Sequence, residues 1–263
     1  MQKPSFLIIG AQKCGSSWLF TQLDQEPKTA MNPLKETHFF VQKERPTDEQ
    51  FENYLRGWQG TKGDLLGEAT PSYFVSPPTA ETAKFKPFIR SSFHLTAAPT
   101  IRERLGGNVK LIVSVNDPVK RAKSAFFHHV KRGRIAAGQT LSDTENLGGV
   151  VYFGFFGQHL KYWLEHFPLE NFFFTSLPEI KREPESVLEK IADFLEIPDY
   201  KVPATLDKGK YVNPLKKVIT DRGCVAEGLE NSPRITTEEL AMLREVYAED
   251  SERFNEMVGR KIL

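Results

Sequence analysis

The residues best suited to chemistry follow the first apolar run of the chain. The segment FLIIGAQKCGSSWL leads from hydrophobic residues into Gly10 and then into Gly15, Ser16 and Ser17, after which an amphipathic stretch begins. A strand, a glycine-containing loop and a helix in this order present backbone N–H groups and a helix N-terminus, and both bind phosphate. Lys13 adds a cation within the loop. The segment predicts a site for a phosphorylated ligand; a tight strand-to-helix turn without a ligand is the alternative.

The position of the lysine narrows the choice of ligand. Gly10 and Gly15 have the spacing of the nucleoside-triphosphate loop GxxxxGK[ST], but Ser16 stands where that pattern requires lysine. Lys13 would instead reach the atom that bridges a 5′-phosphate to a transferred group, and a sulfuryl group fits this position. A Mg²⁺-dependent P-loop kinase or NTPase is kept as an alternative function.

The loop resembles the 5′-phosphosulfate loop of the sulfotransferases that use 3′-phosphoadenosine 5′-phosphosulfate (PAPS). The family pattern is xxGxxKxGTTxL, and this sequence reads IIGAQKCGSSWL. The resemblance implies that PAPS is the co-substrate, that the desulfated nucleotide PAP is the product, and that Lys13 is catalytic, stabilising charge on the bridging oxygen. No metal is implied. The nucleotide-binding residues implied for this loop are Gly10, Gln12, Lys13, Cys14, Gly15, Ser16, Ser17 and Trp18.

A second candidate phosphate-binding segment is VKLIVSVNDPVKRAKSAFFHH. An apolar strand is expected to end at Asn116, with Asp117 capping the following helix and Pro118 at its first position. In the same family the strand ends in R-[DN]-P and the helix continues E-R-x-x-S, and the arginine and serine hold the 3′-phosphate of the nucleotide. The resemblance implies this role for Ser124, and Asn116 stands at the arginine position.

The replacement of that arginine by Asn116 removes a charge that can bind phosphate through two hydrogen bonds. Either a neighbouring cation such as Arg121 or Lys123 compensates, or nucleotide binding is weaker than usual. A solvated helix face formed by Lys120, Arg121 and Lys123 is the alternative for these basic residues. Helical spacing would place Arg121, Ser124 and His128 on one face. A catalytically silent nucleotide-binding protein of the same fold is therefore a further alternative function.

A third and weaker match is the segment LDKGKYVNPL. Lys208, Gly209, Lys210 and Tyr211 resemble a basic, glycine-containing loop that closes over the adenosine end of the nucleotide in the family. Gly209 permits close approach, the lysines can meet the 3′-phosphate, and Tyr211 can stack on a base. An ordinary surface loop of the same composition is the alternative.

The segment NPLKETHFF carries a candidate general base. Glu36 and His38 alternate along a piece expected to be extended, so that both side chains point the same way, and Phe39 and Phe40 would anchor the piece in the core. The segment resembles the KExHFF element of heparan-sulfate-type sulfotransferases. This resemblance implies that Glu36 is the general base and that His38 lies beside the acceptor. A surface carboxylate paired with Lys35 is the alternative for Glu36.

Two departures from the family pattern bear on the acceptor. Val41 stands where relatives often have an acidic residue, and Ala69 in GEATPSYF stands where the related element EKTPxYF has lysine. Both missing groups would contact or orient a sugar in the relatives. The expected partner is therefore a small-molecule or carbohydrate acceptor, and a heparan chain is the less expected choice.

The candidate residues must be positioned by strands and helices that alternate along the chain. Apolar runs bounded by turn or charged residues predict strands at 5–9, 64–66, 109–115 and 171–177. Helical patterns cover 16–25, 118–131, 154–167, 184–195 and 236–257. The alternation predicts a three-layer α/β/α fold with a central, mostly parallel sheet and a P-loop-like phosphosulfate-binding loop. Residues 1–263 are expected to form a single sulfotransferase domain, with loops or lids at 76–99 and 133–149.

Composition limits the other functional classes. The 263 residues include 35 Lys and Arg against 34 Asp and Glu, a formal net charge of +1. This balance gives no global attraction for nucleic acid, so an anion site must be built locally. The two cysteines, Cys14 and Cys224, exclude a disulfide-rich secreted scaffold, and no apolar run is long enough for a membrane span. A cytoplasmic protein is expected, and the sequence does not indicate an oligomeric state.

Overall fold

A computed structural model describes residues 1–42, 44–85, 96–144, 147–203, 206, 217–220, 223–226 and 232–263. Its main sheet contains five strands: β1 (Phe6–Gly10), β2 (Thr29–Met31), β3 (Leu65–Ala69), β4 (Lys110–Val115) and β5 (Phe172–Ser176). Their order is β2-β3-β1-β4-β5, and every neighbouring pair is parallel. Three further strands, β6 (Lys217–Thr220), β7 (Gly223–Ala226) and β8 (Arg234–Ile235), form a separate antiparallel sheet.

Eight α-helices accompany these strands within the described residues. They are α1 (Ser16–Asp24), α2 (Asp48–Leu55), α3 (Ala97–Leu105), α4 (Pro118–Lys131), α5 (Phe156–Leu164), α6 (Leu177–Arg182), α7 (Pro184–Leu195) and α8 (Thr237–Val258). None of them combines the length and the apolar character needed to cross a membrane.

The two faces of the sheet are covered by different helices, because strand β1 points alternate side chains to opposite faces. Leu7 and Ile9 pack into one cluster with residues of α2, α3 and α5, whereas Phe6 and Ile8 pack into another with residues of α1 and α7. A third cluster joins α4 to α8. The arrangement confirms the predicted α/β fold with helices on both sides of a parallel sheet.

Most predicted elements are present, with shifted bounds where the pattern was weak. Helices α4 and α7 have the predicted bounds, but the helix predicted at 154–167 is shorter and covers Phe156–Leu164. The strand predicted at 64–66 covers Leu65–Ala69. The predicted loop 76–99 overlaps the first turn of α3, because this helix begins at Ala97. The elements that were not predicted are strands β2, β6, β7 and β8 and helices α2, α3 and α6.

Candidate active site

A cavity of about 850 Å³ lies at the carboxyl edge of the main sheet. The segment after each of the five strands contributes to its wall: Gln12 after β1, Glu36 after β2, Ser72 after β3, Asn116 after β4 and Pro178 after β5. In a parallel sheet the carboxyl ends of the strands meet at one edge, which is where such folds bind ligands. The volume lies in the range of small-molecule sites.

The loop after β1 turns sharply into helix α1. Gly15 is the N-cap residue of α1 with φ of 102°, in the left-handed region that favours glycine, and Lys13 also has a positive φ of 67°. Strand β4 holds the loop in place, because the Ser114 hydroxyl donates to the Cys14 carbonyl oxygen at 2.6 Å. Lys13, Gly15, Ser16 and Ser17 line the cavity at the start of α1. This is the geometry that binds a phosphate group.

Lys13 is half-buried in the cavity wall. Burial lowers the pKa of its ammonium group, as do the nearby charges of Arg121 and Arg132, while Glu36 acts in the opposite direction. In the described parts of the chain no carboxylate lies within ion-pair distance of Lys13. An anionic ligand would therefore meet a partly desolvated cation that has no competing carboxylate partner.

Three of the loop residues predicted to bind the nucleotide have no side chain at the cavity wall. Cys14 and Trp18 are buried, and burial raises the pKa of the Cys14 thiol to about 12. At Gly10 a Cβ atom would lie 2.5 Å from the Cβ atom of Phe74, so glycine is needed there for close packing. None of the three lines the cavity. A contact between their backbone and a nucleotide stays a prediction.

Helix α4 forms one long wall of the cavity. It begins as predicted: Asp117 is the N-cap residue, its Oδ1 accepts from the backbone N–H of Lys120 at 2.7 Å, and Pro118 follows. Asn116 is 8% exposed and faces the cavity from the end of β4. Along α4 the residues that line the cavity are Lys120, Ser124, His128 and Lys131, spaced by one helical turn.

The expectation that Arg121 or Lys123 compensates for Asn116 is wrong, since neither residue lines the cavity. Arg121 is 0% exposed, and its guanidinium donates to the carbonyl oxygens of Gly149 and Val150. Of the predicted face with Arg121, Ser124 and His128, Ser124 and His128 line the cavity and Arg121 does not. Lys120, for which the sequence offered only a place on a solvated helix face, is the cation that shares the wall with Asn116 and Ser124.

Glu36 and His38 both line the cavity opposite α4 and lie close to each other. The distance from His38 Nε2 to Glu36 Oε2 is 3.7 Å. Lys35 connects this pair to the phosphate-binding loop, because its Nζ lies 3.1 Å from Glu36 Oε1 and donates to Ser17 Oγ at 2.8 Å. His38 Nδ1 lies 3.1 Å from Ser72 Oγ. The geometry thus contains both the ion pair with Lys35 and the predicted neighbourhood of Glu36 and His38.

The backbone around Glu36 differs from the expected extended piece. Lys35 and His38 have positive φ angles of 59° and 53°, so the segment turns twice. Both side chains reach the cavity by these turns rather than by strand alternation. Phe39 and Phe40 are buried as expected, and Phe39 stacks on Tyr54 with ring centroids 4.4 Å apart.

The electrostatic character of the cavity is positive. Its described lining contains the cations Lys13, Lys120, Lys131, Arg132 and Lys181 against the single carboxylate of Glu36. Burial, followed by the charges of Lys13 and Arg132, lowers the pKa of His128 to about 4, and burial also lowers the pKa of His38. Both imidazoles are therefore neutral near pH 7, and the cavity suits an anion that carries several negative charges.

Four predicted residues cannot be placed in the cavity, and four residues that were not predicted line it. Lys208, Gly209, Lys210 and Tyr211 lie outside the described residues. Ser72, Lys131, Arg132 and Lys181 line the cavity although no motif marked them; basic residues near the end of α4 were the available signal. Within the part of the chain that the structure describes, no three His, Cys, Asp or Glu side chains gather to hold a metal ion.

Comparisons with known proteins agree with this architecture. The family model described as the sulfotransferase domain matches residues 3–218. Mouse heparan sulfate glucosamine 3-O-sulfotransferase 3B1 is 28% identical over 98% of this chain and 64% of its own length. The Caenorhabditis elegans bifunctional heparan sulfate N-deacetylase/N-sulfotransferase 1 is 27% identical over 75% of this chain and 22% of its own length.

A solved structure supports the fold over nearly the whole chain. The sulfotransferase from Alicyclobacillus acidocaldarius superposes with a TM-score of 0.70 at 22% identity, covering 99% of this chain and 97% of that one. The chain spans 64% of the length of the mouse 3-O-sulfotransferase, so the two proteins are not equivalent over their full lengths. With the family model covering residues 3–218, the chain belongs to the sulfotransferase-domain family.

Proposed function

We propose that residues 1–263 act as one sulfotransferase domain that transfers a sulfuryl group from PAPS to a hydroxyl or amine of an acceptor and releases PAP. The observation that carries the proposal is the placement of Lys13 and Glu36 on the same cavity, from loops after different strands. A cation for the leaving group and a carboxylate for the acceptor proton are the two groups that this transfer requires.

The nucleotide would lie along the phosphate-binding loop and helix α4. The N–H groups at Gly15, Ser16 and Ser17, with the two serine hydroxyls, would bind the 5′-phosphate. Ser124 and Asn116 would contact the 3′-phosphate, with Lys120 supplying the charge that Asn116 lacks. The position of all three side chains on one wall of the cavity supports this assignment.

The reaction would be an in-line displacement at sulfur. As the acceptor oxygen or nitrogen forms its bond to sulfur, the bond from sulfur to the bridging oxygen breaks, and the electron pair stays on the 5′-phosphate of PAP. Lys13 would stabilise that charge, Glu36 would take the acceptor proton, and His38 would contact the acceptor. Lys35 would hold the Glu36 carboxylate close to Ser17, since its ammonium group contacts both side chains.

The acceptor is proposed only as a class. By their names, the mouse relative acts on glucosamine in heparan sulfate and the Caenorhabditis elegans relative acts on heparan sulfate, which favours a carbohydrate acceptor. Val41 and Ala69, at the positions where the heparan-sulfate-type pattern has charged groups, are buried and do not line the cavity. We therefore propose a carbohydrate or other small molecule. A cytoplasmic location stays a prediction from the sequence.

Titration calorimetry with PAP, in the presence and absence of EDTA, tests the proposal directly. Tight binding that EDTA does not change is expected, because every proposed contact comes from the protein. Binding of ATP that requires Mg²⁺, without binding of PAP, would favour a P-loop kinase or NTPase. Absence of binding for both nucleotides would favour a catalytically silent protein of the same fold. Release of PAP from PAPS by the purified protein is the accompanying activity measurement.

A further inference from the structure

A carboxylate is buried directly beneath the segment that carries Glu36 and His38. Glu68 in β3 is 0% exposed. Its Oε2 accepts from the hydroxyls of Thr37 at 2.8 Å and Tyr54 at 3.0 Å, and its Oε1 accepts from the hydroxyl of Thr70 at 3.1 Å. The described parts of the chain place no lysine or arginine within ion-pair distance of it. A buried carboxylate with only neutral donors is costly, so it calls for an explanation.

One of these donors belongs to the candidate site. Thr37 stands between Glu36 and His38, and its single hydroxyl hydrogen is directed at Glu68. Its oxygen in turn accepts from the backbone N–H of Phe39 at 3.3 Å and lies 3.0 Å from the Tyr73 hydroxyl. The Thr37 side chain thereby connects Glu68 to the backbone on both sides of His38.

The segment needs such an anchor because its backbone is unusual. Lys35 and His38 both occupy the left-handed region, which residues other than glycine adopt only when surrounding contacts impose it. The Lys35 carbonyl oxygen accepts from the backbone N–H of Ala69 at 3.2 Å, one residue after Glu68. Strand β3 therefore holds the segment both through its backbone and through the Glu68 side chain.

We propose that Glu68 is a positioning residue: its carboxylate holds Thr37 and so fixes Glu36 and His38 at the cavity wall. A charged acceptor forms a stronger hydrogen bond than a neutral one, and a strand between two neighbours gives it a rigid base. Burial raises the pKa of Glu68, and the hydrogen bonds from the four hydroxyls around it act in the opposite direction. The catalytic part of the inference rests on the proposed function; the structural part does not.

Three substitutions separate positioning from general stability. Thr37→Val removes the hydroxyl that joins the segment to Glu68 and keeps the shape of the side chain. Thr37→Ser keeps the hydroxyl and should behave like the wild type. Tyr54→Phe is the matched control, since it removes another hydrogen bond to the same Glu68 oxygen but keeps the ring that stacks on Phe39.

The first measurement is the titration of the His38 imidazole by NMR, with the signal assigned by His38→Gln. Burial lowers the pKa of His38 in the wild type. Thr37→Val should move it toward the ordinary value of about 6.5, whereas Thr37→Ser and Tyr54→Phe should leave it in place. This measurement needs no turnover, so it decides the structural claim even if the protein does not use PAPS.

The second measurement is the rate of PAP release from PAPS with water as acceptor. We expect Thr37→Val to lower kcat by about 10- to 100-fold, as for a displaced catalytic group, with PAP affinity unchanged. Glu68→Gln should also lower kcat, and adding Thr37→Val to it should cause little further loss. A wild-type protein that releases no PAP contradicts the proposed function alone. The inference is overturned if Thr37→Val leaves the His38 titration unchanged, or if Tyr54→Phe alters it equally.

Discussion

Lys13 and Glu36 have different electrostatic surroundings, and we expect them to contribute to different parts of the transfer reaction. Lys13 is half-buried among other cations, whereas Glu36 is exposed to the cavity and paired with Lys35. A cation beside the bridging oxygen acts mainly when charge develops there. A carboxylate that takes the acceptor proton does not contact the nucleotide phosphates. Both substitutions should therefore affect turnover more than nucleotide binding.

Replacement of Lys13 by alanine should lower kcat for PAP release by about 10²- to 10³-fold. Removal of one preorganised group that stabilises charge in a transition state has an effect of this size. The dissociation constant of PAP, measured by calorimetry, should rise by less than about tenfold, since PAP lacks the sulfuryl group. Lys190→Ala, at an exposed position of α7, is the control. Loss of PAP binding without loss of kcat would contradict the catalytic role of Lys13.

Glu36→Gln should slow PAP release by about 10²-fold, in the range expected for general-base catalysis. PAP affinity should be unchanged within experimental error, because the amide keeps the size of the side chain. Glu52→Gln, on the exposed face of α2, is the matched control. Turnover at the wild-type rate in Glu36→Gln would rule out the general-base assignment.

At the scale of elements, helix α4 determines which cation lies beside Asn116, which stands at the position of the family arginine. A helix that begins at Pro118, two residues after Asn116, places Lys120 within one turn of the strand end and Ser124 one turn further. The cap at Asp117 and Pro118 sets where the helix begins, and the face that α4 buries then determines which basic residue faces the cavity. Lys120 faces it, whereas Arg121 is directed into the core and Lys123 lies off this face.

Lys120→Ala should weaken the binding of PAP by about tenfold, or roughly 1.4 kcal/mol, and leave the binding of AMP almost unchanged. The reason is that AMP has no 3′-phosphate for Lys120 to contact. Lys123→Ala on the same helix is the matched control and should change neither affinity. Asn116→Arg should tighten PAP binding but not AMP binding. An equal loss of both nucleotides in Lys120→Ala would contradict the assignment to the 3′-phosphate.

At the scale of the whole molecule, helix α8 joins the C-terminal part of the chain to the layer that supports the site. Asp250 in α8 is 2% exposed, and its carboxylate accepts from the backbone N–H groups of Gly157 and Gln158 at 2.8 Å each, at the start of α5. Burial raises the pKa of Asp250 to about 6, and the two N–H groups oppose that rise. The burial of this carboxyl group therefore makes the free energy of unfolding depend on pH.

Since the folded pKa of about 6 lies above the ordinary 3.8, the unfolded chain ionises first as the pH rises. The stabilising contribution of Asp250 is fully present below pH 3.8 and is lost as the pH rises through 6. The free energy of unfolding of Asp250→Asn, relative to wild type, should therefore rise by up to roughly 3 kcal/mol between pH 4 and 7. Urea unfolding at both pH values measures this difference. A constant or falling difference would contradict the prediction.

The long elements were predictable because their signals are local. Helices α4 and α7 each have a proline at the first position, and strands β4 and β5 contain the apolar runs LIV and FFF, so their places follow from neighbouring residues. Strand β2 has only three residues and helix α6 only six, too few for a periodic pattern. Tertiary pairing, rather than intrinsic preference, stabilises such short elements.

The sequence by itself determined the chemical content of the site: a glycine loop with Lys13, a strand end at Asn116 with a capped helix, and a carboxylate in KETHFF. Each of these follows from residues adjacent in the chain, where backbone preference and helical spacing operate. Only the tertiary structure decided that Lys120 rather than Arg121 faces the cavity, and that Glu68 holds Thr37 from 31 residues away. Such contacts depend on how distant strands pair and which face each helix buries, and no local pattern encodes that choice.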